Sequence, residues 1–342
     1  MTAPTKFYAG FGLGLLSAFS VFYGLFFAQL GAPTLSSQWC WDLNSRKQEL
    51  ARAAGTPKLL LVGGSSVLFG LSARDIQQQT GFPTVNLGTH AALGAEYILR
   101  LARRSAQPGD IVLLAFEYEA YQHGAPGKPV PWTDPLYFDY LFARDAAYFR
   151  SWPLTEQLRA AMWISTRRLK EGWRNRGRGE LEAHAGIYSV KMLNPYGDQT
   201  GARKDNRSPG QPWLALRSEN LARGLPAEPN GFPVFREFIE WARQNQVRVL
   251  ATYPTICHRP EYEAEPAQRT AAAIREFFES QGVPVLGEAR EGMLDPDLFF
   301  DTLYHPIEEG ARERTRRLLT HLAPLLQREG RTASAGTAGT AK

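Results

Sequence analysis

The strongest pattern along the chain is residues 7–30, 24 consecutive positions without a charge. As a helix this run extends about 36 Å, enough to cross the hydrocarbon core of a bilayer with some tilt. Lys6 precedes it, Arg46 and Lys47 follow at a distance, and Trp39 and Trp41 stand where an interfacial aromatic belt falls. The pattern predicts an uncleaved single-pass anchor over residues 1–32. A cleaved signal peptide, with small residues at 28–32, is the rival reading, but the apolar part of such a peptide is usually only about 7 to 15 residues long. Both readings place the remaining chain on the periplasmic or extracellular side of the inner (plasma) membrane.

A polar connector is expected over 33–57, and then short apolar runs recur at 58–63, 84–87, 111–116, 248–253 and 283–286. Runs of this length between glycine, proline and helical spacing read as strands buried on both faces. Ser72 followed by Asp75 marks a helix start that Gly81 would close, and further helices are expected at about 96–106, 232–244, 267–281 and 307–326. Strands alternating with helices predict an α/β domain over 58–327 with a doubly wound, mainly parallel five-stranded sheet.

An insertion of about 118–245 separates the third and fourth strands and is too long for an ordinary crossover, so it reads as a cap. Its first part is aromatic, including Trp132, Tyr137, Phe138, Phe142, Phe149 and Trp152, which suits packing onto the sheet or the lining of a sugar groove. Arg167, Arg168, Lys170, Arg174, Arg176 and Arg178 read as a solvated helix face, with docking on anionic lipid or glycan as the alternative. The tail 328–342 alternates Thr, Ala, Ser and Gly, and its composition predicts disorder.

With 44% hydrophobic and 21% charged residues in 342, the chain has globular composition. The 39 Lys and Arg outnumber the 34 Asp and Glu only slightly and are spread widely, which argues against a nucleic-acid partner and for weak attraction to membranes or acidic polymers. Cys40 and Cys257 share no local motif, so free thiols are expected. No His pair has metal-ligand spacing with a Cys or carboxylate, so neither a metal nor another cofactor is expected.

In a doubly wound sheet, ligands gather beyond the carboxyl ends of the strands. The turn after the first strand reads Gly63-Gly64-Ser65-Ser66-Val67, which can hold Ser65 at a helix start beside free backbone N–H groups. It lacks the lysine of a phosphate-binding loop and, with Val67, the last glycine of a Gly-x-Ser-x-Gly elbow. Before the last helix stands Asp301-Thr-Leu-Tyr-His305-Pro, where the carboxylate can orient the imidazole as a serine nucleophile requires. Taken singly, Ser65 reads equally as a turn residue, His305 as a helix-start residue and Asp301 as a cap.

This order of parts resembles the SGNH, or GDSL-like, hydrolase superfamily over about 58–326, which implies a flavodoxin-like strand order. In that resemblance Gly63-Gly64-Ser65 stands where the family's Gly-Asp-Ser begins, with Ser65 as nucleophile, His305 as base and Asp301 as its orienter. Asn86-Leu-Gly88-Thr-His90-Ala91 is similar to the second block, and Ala91 occupies the place of the glycine whose N–H joins the oxyanion hole. The third block's Asn donor is missing: Glu117 stands in Ala115-Phe-Glu117-Tyr118-Glu119, expected to bind a lid or substrate hydroxyl, with Tyr118 as a replacement donor. Gly64, Ser66, His90 and Tyr253 complete the expected pocket. Three residues separate Asp301 from His305 where the commonest family pattern has two.

An anchor ahead of such a domain is similar to the alginate and cellulose O-acetylation proteins and the teichoic-acid alanylation protein. The resemblance implies a serine acyltransferase that O-acylates, through an acyl-serine, an extracytoplasmic polysaccharide acceptor. A multi-spanning membrane acyltransferase is the implied partner, with lipid contacting residues 7–30. A membrane-tethered esterase or deacetylase using the same residues, and a non-catalytic polysaccharide-assembly or carbohydrate-binding subunit, are the alternatives.

Overall fold

The computed structural model describes residues 3–122, 135–182, 186–207, 210, 220–226 and 229–338. His123, Trp132 and His184 lie outside them. All five apolar runs are strands: β1 (Leu59–Val62), β2 (Thr84–Asn86), β3 (Ile111–Leu114), β4 (Arg248–Thr252) and, after the short β5 (Ile256–Cys257), β6 (Val285–Leu286). They form one all-parallel sheet in the order β2-β1-β3-β4-β6. A second, two-stranded ribbon pairs β5 with β7 (Met293–Leu294), each too short to leave a pattern in the sequence.

Alternation along the strands divides the core. Leu59, Leu61, Ile111 and Leu113 pack in one cluster with Ile76 and with Leu318, Leu322 and Leu326 of the last helix. Leu60, Val62, Val112 and Leu114 are equally buried and belong to the opposite face, where helix Gly94–Ser105 packs on β1 and helix Phe232–Gln244 on β4. Ser72 caps helix Ala73–Thr80 by accepting the Asp75 N–H, and Gly81 ends it with φ 71°. The register pairs Leu61 with Asn86 and Val62 with Leu114, so the carboxyl ends of β1, β2 and β3 finish together. Their following loops therefore meet.

The chain divides into two compact units. The α/β unit comprises 42–130 and 184–342; the other comprises 1–41 and 131–183. The residues of the expected 118–245 cap fall in both units: 131–183 group with the N-terminal helix, where Phe142 and Phe149 pack on Phe26. The boundary also falls inside helix Leu35–Ala53, after Trp41. That helix replaces the connector expected at 33–57, where scattered Trp, Asn and Ser obscure the helical period.

In the helical unit, helix Ala3–Ala28 is long and apolar enough to cross a membrane. Its side chains are exposed from 4 through 21, while Phe26 is fully buried against Phe142 and Phe149. Arg168 is buried instead of solvated: its Nε lies 2.5 Å from Asp139 Oδ1, and its Nη groups donate to Gln29 and to the Ala32 carbonyl at 3.2 Å. Asp139 also accepts from Thr34 (2.6 Å) and Ser36 (2.7 Å). Both of these hydroxyls bond Oδ2, so Oδ1 is left to the Arg168 charge, which offsets the cost of burying the carboxylate.

The last helix, Glu308–Ala338, continues past Arg328 through the stretch whose composition predicts disorder. Extending an existing helix fixes one residue per hydrogen bond and avoids the cost of nucleation. Cys40 and Cys257 are both buried free thiols, and burial pushes Cys257 up to about 12.

Candidate active site

β1 delivers Gly63 and Gly64 to the start of helix Ser65–Leu68. A Cβ on Gly64 would lie 2.4 Å from a Glu117 carboxylate oxygen and 2.7 Å from the Ala91 Cβ. A Cβ on Gly88 would lie 2.3 Å from the Leu68 nitrogen. Glycine at both positions lets the loops after β1, β2 and β3 close on one another. Ser65 is half-buried, and among the described residues its hydroxyl makes no hydrogen bond.

On the far side of the chain, an antiparallel bridge between Phe299 and Pro306 closes a turn in which Phe300 N–H donates to the His305 carbonyl at 2.8 Å. The turn absorbs the additional residue between Asp301 and His305. Asp301 Oδ1 lies 2.8 Å from His305 Nδ1. The Tyr188 hydroxyl donates to the other oxygen, Oδ2, and lies 3.4 Å from the same Nδ1. Burial would raise the Asp301 carboxyl, but His305 and Tyr188 outweigh it and hold the group below its ordinary value. An ionised carboxylate on Nδ1 fixes the tautomer and leaves Nε2 as the proton-transferring edge. Among the described residues Nε2 has no hydrogen-bond partner.

The His305 ring stacks on Phe69, centroids 4.4 Å apart. Phe69 is one helical turn from Ser65 and donates its N–H to the Ser65 carbonyl at 3.0 Å. Ser65, His305 and Asp301 are therefore gathered at one edge of the sheet. No hydrogen bond joins Ser65 to His305.

The expected oxyanion groups divide. The N–H groups of Ser65 and Ala91 are without acceptors among the described residues, at the place where Gly64 meets Ala91. Ser66 is not available: its N–H donates to Glu117 Oε1 at 2.8 Å. Glu117, expected to meet a lid or substrate hydroxyl, is the buried acceptor beneath the serine loop. Burial pushes its carboxyl up, against the Ser66 hydrogen bonds and the His305 charge.

His90 caps the helix Ala91–Leu93, its Nδ1 accepting the Ala92 N–H at 3.1 Å. Tyr118, the expected replacement donor, is fully buried and its hydroxyl has no hydrogen-bond partner among the described residues. Tyr253 donates its hydroxyl to the Ala271 carbonyl at 2.9 Å and lines a separate cavity of about 470 Å³ with Tyr262, Arg275 and Met293. Among the described residues no group of three His, Cys, Asp or Glu is placed to hold a metal ion.

Three residues to which the sequence reading gave no part in the site belong to it: Tyr188, Phe69 and Lys47. Lys47 is buried, and its Nζ donates to the Gly88 carbonyl at 2.6 Å and to Asn86 Oδ1 at 3.3 Å. Asn86 Nδ2 in turn donates to the Val67 and Leu71 carbonyls, both at 3.0 Å. These bonds tie the second loop to the serine helix. Burial lowers Lys47 to about 7, with Asp198 partly opposing. A lone lysine in a polar helix carries no signal of such a role, whereas Asn86 was visible in the second block.

No family model matches this chain, and no curated protein matches it either.

Proposed function

We propose that this protein is a membrane-anchored serine acyltransferase of the SGNH type that acylates a hydroxyl of an extracytoplasmic polysaccharide. One observation carries the reading: Asp301 holds His305 at 2.8 Å while the imidazole stacks on Phe69, one helical turn from Ser65. The strand order and the two covered faces of the sheet support a doubly wound, flavodoxin-like reading.

In this mechanism Ser65 Oγ attacks the carbonyl carbon of an acyl donor, and His305 Nε2 takes the hydroxyl proton. The Ser65 and Ala91 N–H groups receive the developing oxyanion. The donor's leaving group departs with the proton from His305, leaving an acyl-serine, with acetyl the group favoured. The acceptor hydroxyl then attacks the ester as His305 takes its proton, and the Ser65–acyl bond breaks as His305 returns that proton to Ser65 Oγ. A multi-spanning membrane acyltransferase is the proposed acyl supplier.

The anchor is proposed to be retained, single-pass, with the α/β unit on the periplasmic or extracellular side. Phe26 is fully buried against Phe142 and Phe149 within the helical unit, so cleavage after residue 28 would remove part of that interior.

Intact-protein mass spectrometry after incubation with an activated acetyl ester tests the chemistry. Parent protein should gain one acetyl group and Ser65→Ala none; equal labelling of both removes the covalent mechanism. A polysaccharide acceptor should then discharge the adduct into an ester. Release of free acid alone, with or without acceptor, would make the protein an esterase.

A further inference from the structure

Among the described residues, every exposed large hydrophobic side chain belongs to the helical unit. Most line helix Ala3–Ala28, and the others are Leu35, Leu154, Met162, Trp163 and Trp173. The α/β unit exposes none among its described residues. Leu154 is 64% exposed, Met162 66% and Trp163 49%, three large apolar side chains within ten residues of sequence and not singly scattered ones.

Their position relative to the anchor is fixed within the same unit. Helix Leu154–Ala161 packs on helix Ala3–Ala28, and the Tyr23 hydroxyl is 3.5 Å from the Leu158 carbonyl. The fully exposed part of the anchor, 4–21, covers roughly 27 Å at the α-helical rise, close to the thickness of a hydrocarbon core. Cover by protein begins at Phe22 and Tyr23, the level at which helix Leu154–Ala161 lies alongside. Leu158 therefore stands level with Tyr23, where the exposed part of the anchor ends and the headgroup and acyl boundary falls, and Leu154, Met162 and Trp163 lie within about one and a half turns of it in sequence.

Charge complements this placement. Arg150, Arg159, Arg167, Lys170 and Arg174 are exposed around the apolar residues, and Arg176 covers the Trp173 ring at 4.7 Å. The nearby acids are partly engaged: Glu156 pairs with Arg159 at 2.9 Å, and Glu171 accepts the Leu35 N–H at 2.7 Å. Tryptophan with arginine beside a spanning helix is the composition of an interfacial surface.

We infer that Leu154, Met162 and Trp163 insert into the lipid interface beside the anchor, forming a second membrane contact that the surrounding arginines make selective for anionic headgroups. The inference rests on the reading that helix Ala3–Ala28 spans the bilayer. It makes the helical unit a membrane-seated collar.

Nitroxide labels on the full chain in vesicles test this, because native Cys40 and Cys257 are fully buried. Single variants Leu16→Cys, Leu154→Cys, Met162→Cys and Gln78→Cys report the anchor, the proposed contact and a water-exposed control. In phosphatidylcholine vesicles containing phosphatidylglycerol, labels at 154 and 162 should collide with oxygen in preference to a nickel chelate, at a shallower depth than 16. Label 78 should prefer the chelate. Labels 154 and 162 matching 78 while 16 stays lipid-immersed would overturn the contact and leave the anchor standing. Shielding of 154 and 162 from both reagents would assign the surface to protein and overturn the lipid reading. A water-exposed 16 would end the anchor reading and this one with it. Omitting phosphatidylglycerol should lower the oxygen preference at 154 and 162; no change would overturn the headgroup selectivity.

Discussion

His305 lies nearly parallel to Phe69, with an interplanar angle of 27°, and this pairing sets the direction in which the imidazole presents its free edge. Phe69→Leu removes the platform and keeps an apolar side chain. Acyl transfer should slow by about 10- to 100-fold, the scale of a misplaced catalytic group. Steady-state rates with an activated acetyl ester measure it, and an unchanged kcat would show that the ring orientation is set elsewhere.

Tyr188 completes the coordination of the Asp301 carboxylate. Tyr188→Phe deletes a hydrogen bond to a charged acceptor, worth about 1.5–3 kcal/mol, and should lower kcat/KM by roughly 10- to 100-fold. Because Tyr188 helps hold Asp301 below its ordinary value, its loss raises that value. Stability from this carboxylate is present above its unfolded value and lost as pH falls through the folded one. The loss of stability on acidification should accordingly begin at higher pH in the variant, read from thermal midpoints across the acid range.

For Glu117 the sign is opposite, since burial raises the folded value. At low pH both states are protonated; as pH climbs, the unfolded chain ionises first and the folded state is penalised. Glu117→Gln keeps an acceptor for the Ser66 N–H without the charge. Its thermal midpoint should exceed the parent's at about pH 7.5, and the difference should vanish toward about pH 4.

Lys47 supplies a third pH dependence. Its folded value of about 7 lies below 10.5, so between those values the unfolded chain holds the extra proton and the parent's stability rises with pH. Lys47→Met should flatten that rise. Denaturant midpoints of both proteins across the window give the comparison, and parallel curves would mean that Lys47 titrates normally.

In the helical unit, Asp139→Ala leaves the Arg168 guanidinium buried without its anion, costing about 3–5 kcal/mol. Combining Asp139→Leu with Arg168→Met should restore most of the loss. Chemical denaturation of the single and double variants measures the coupling, and additive losses would deny it.

The sheet was legible because each strand is a continuous apolar run, and Ser65, Asp301 and His305 were legible because strand ends are where such groups converge. Other parts were not. Nothing local distinguishes Tyr188 from the chain's other tyrosines, since its contact to Asp301 depends on how the insertion returns to the sheet. Arg168 sits in a run of cations, and only the fold decides which of them turns inward to Asp139. Glu117 was visible as a departure from the family pattern, but its partner, the Ser66 N–H, belongs to the close approach that Gly64 permits.

Ile111 sits beside Arg248 in adjacent strands, although the entire helical excursion separates them in sequence. The entropy of closing a loop grows only logarithmically, adding about 0.6 kcal/mol for each doubling of length. A segment inserted at that junction is therefore a graft the barrier to sheet formation hardly registers. Its helical part, 131–183, can be lengthened, trimmed or exchanged at little entropic cost, provided the return of the chain through Tyr188 to Asp301 is kept.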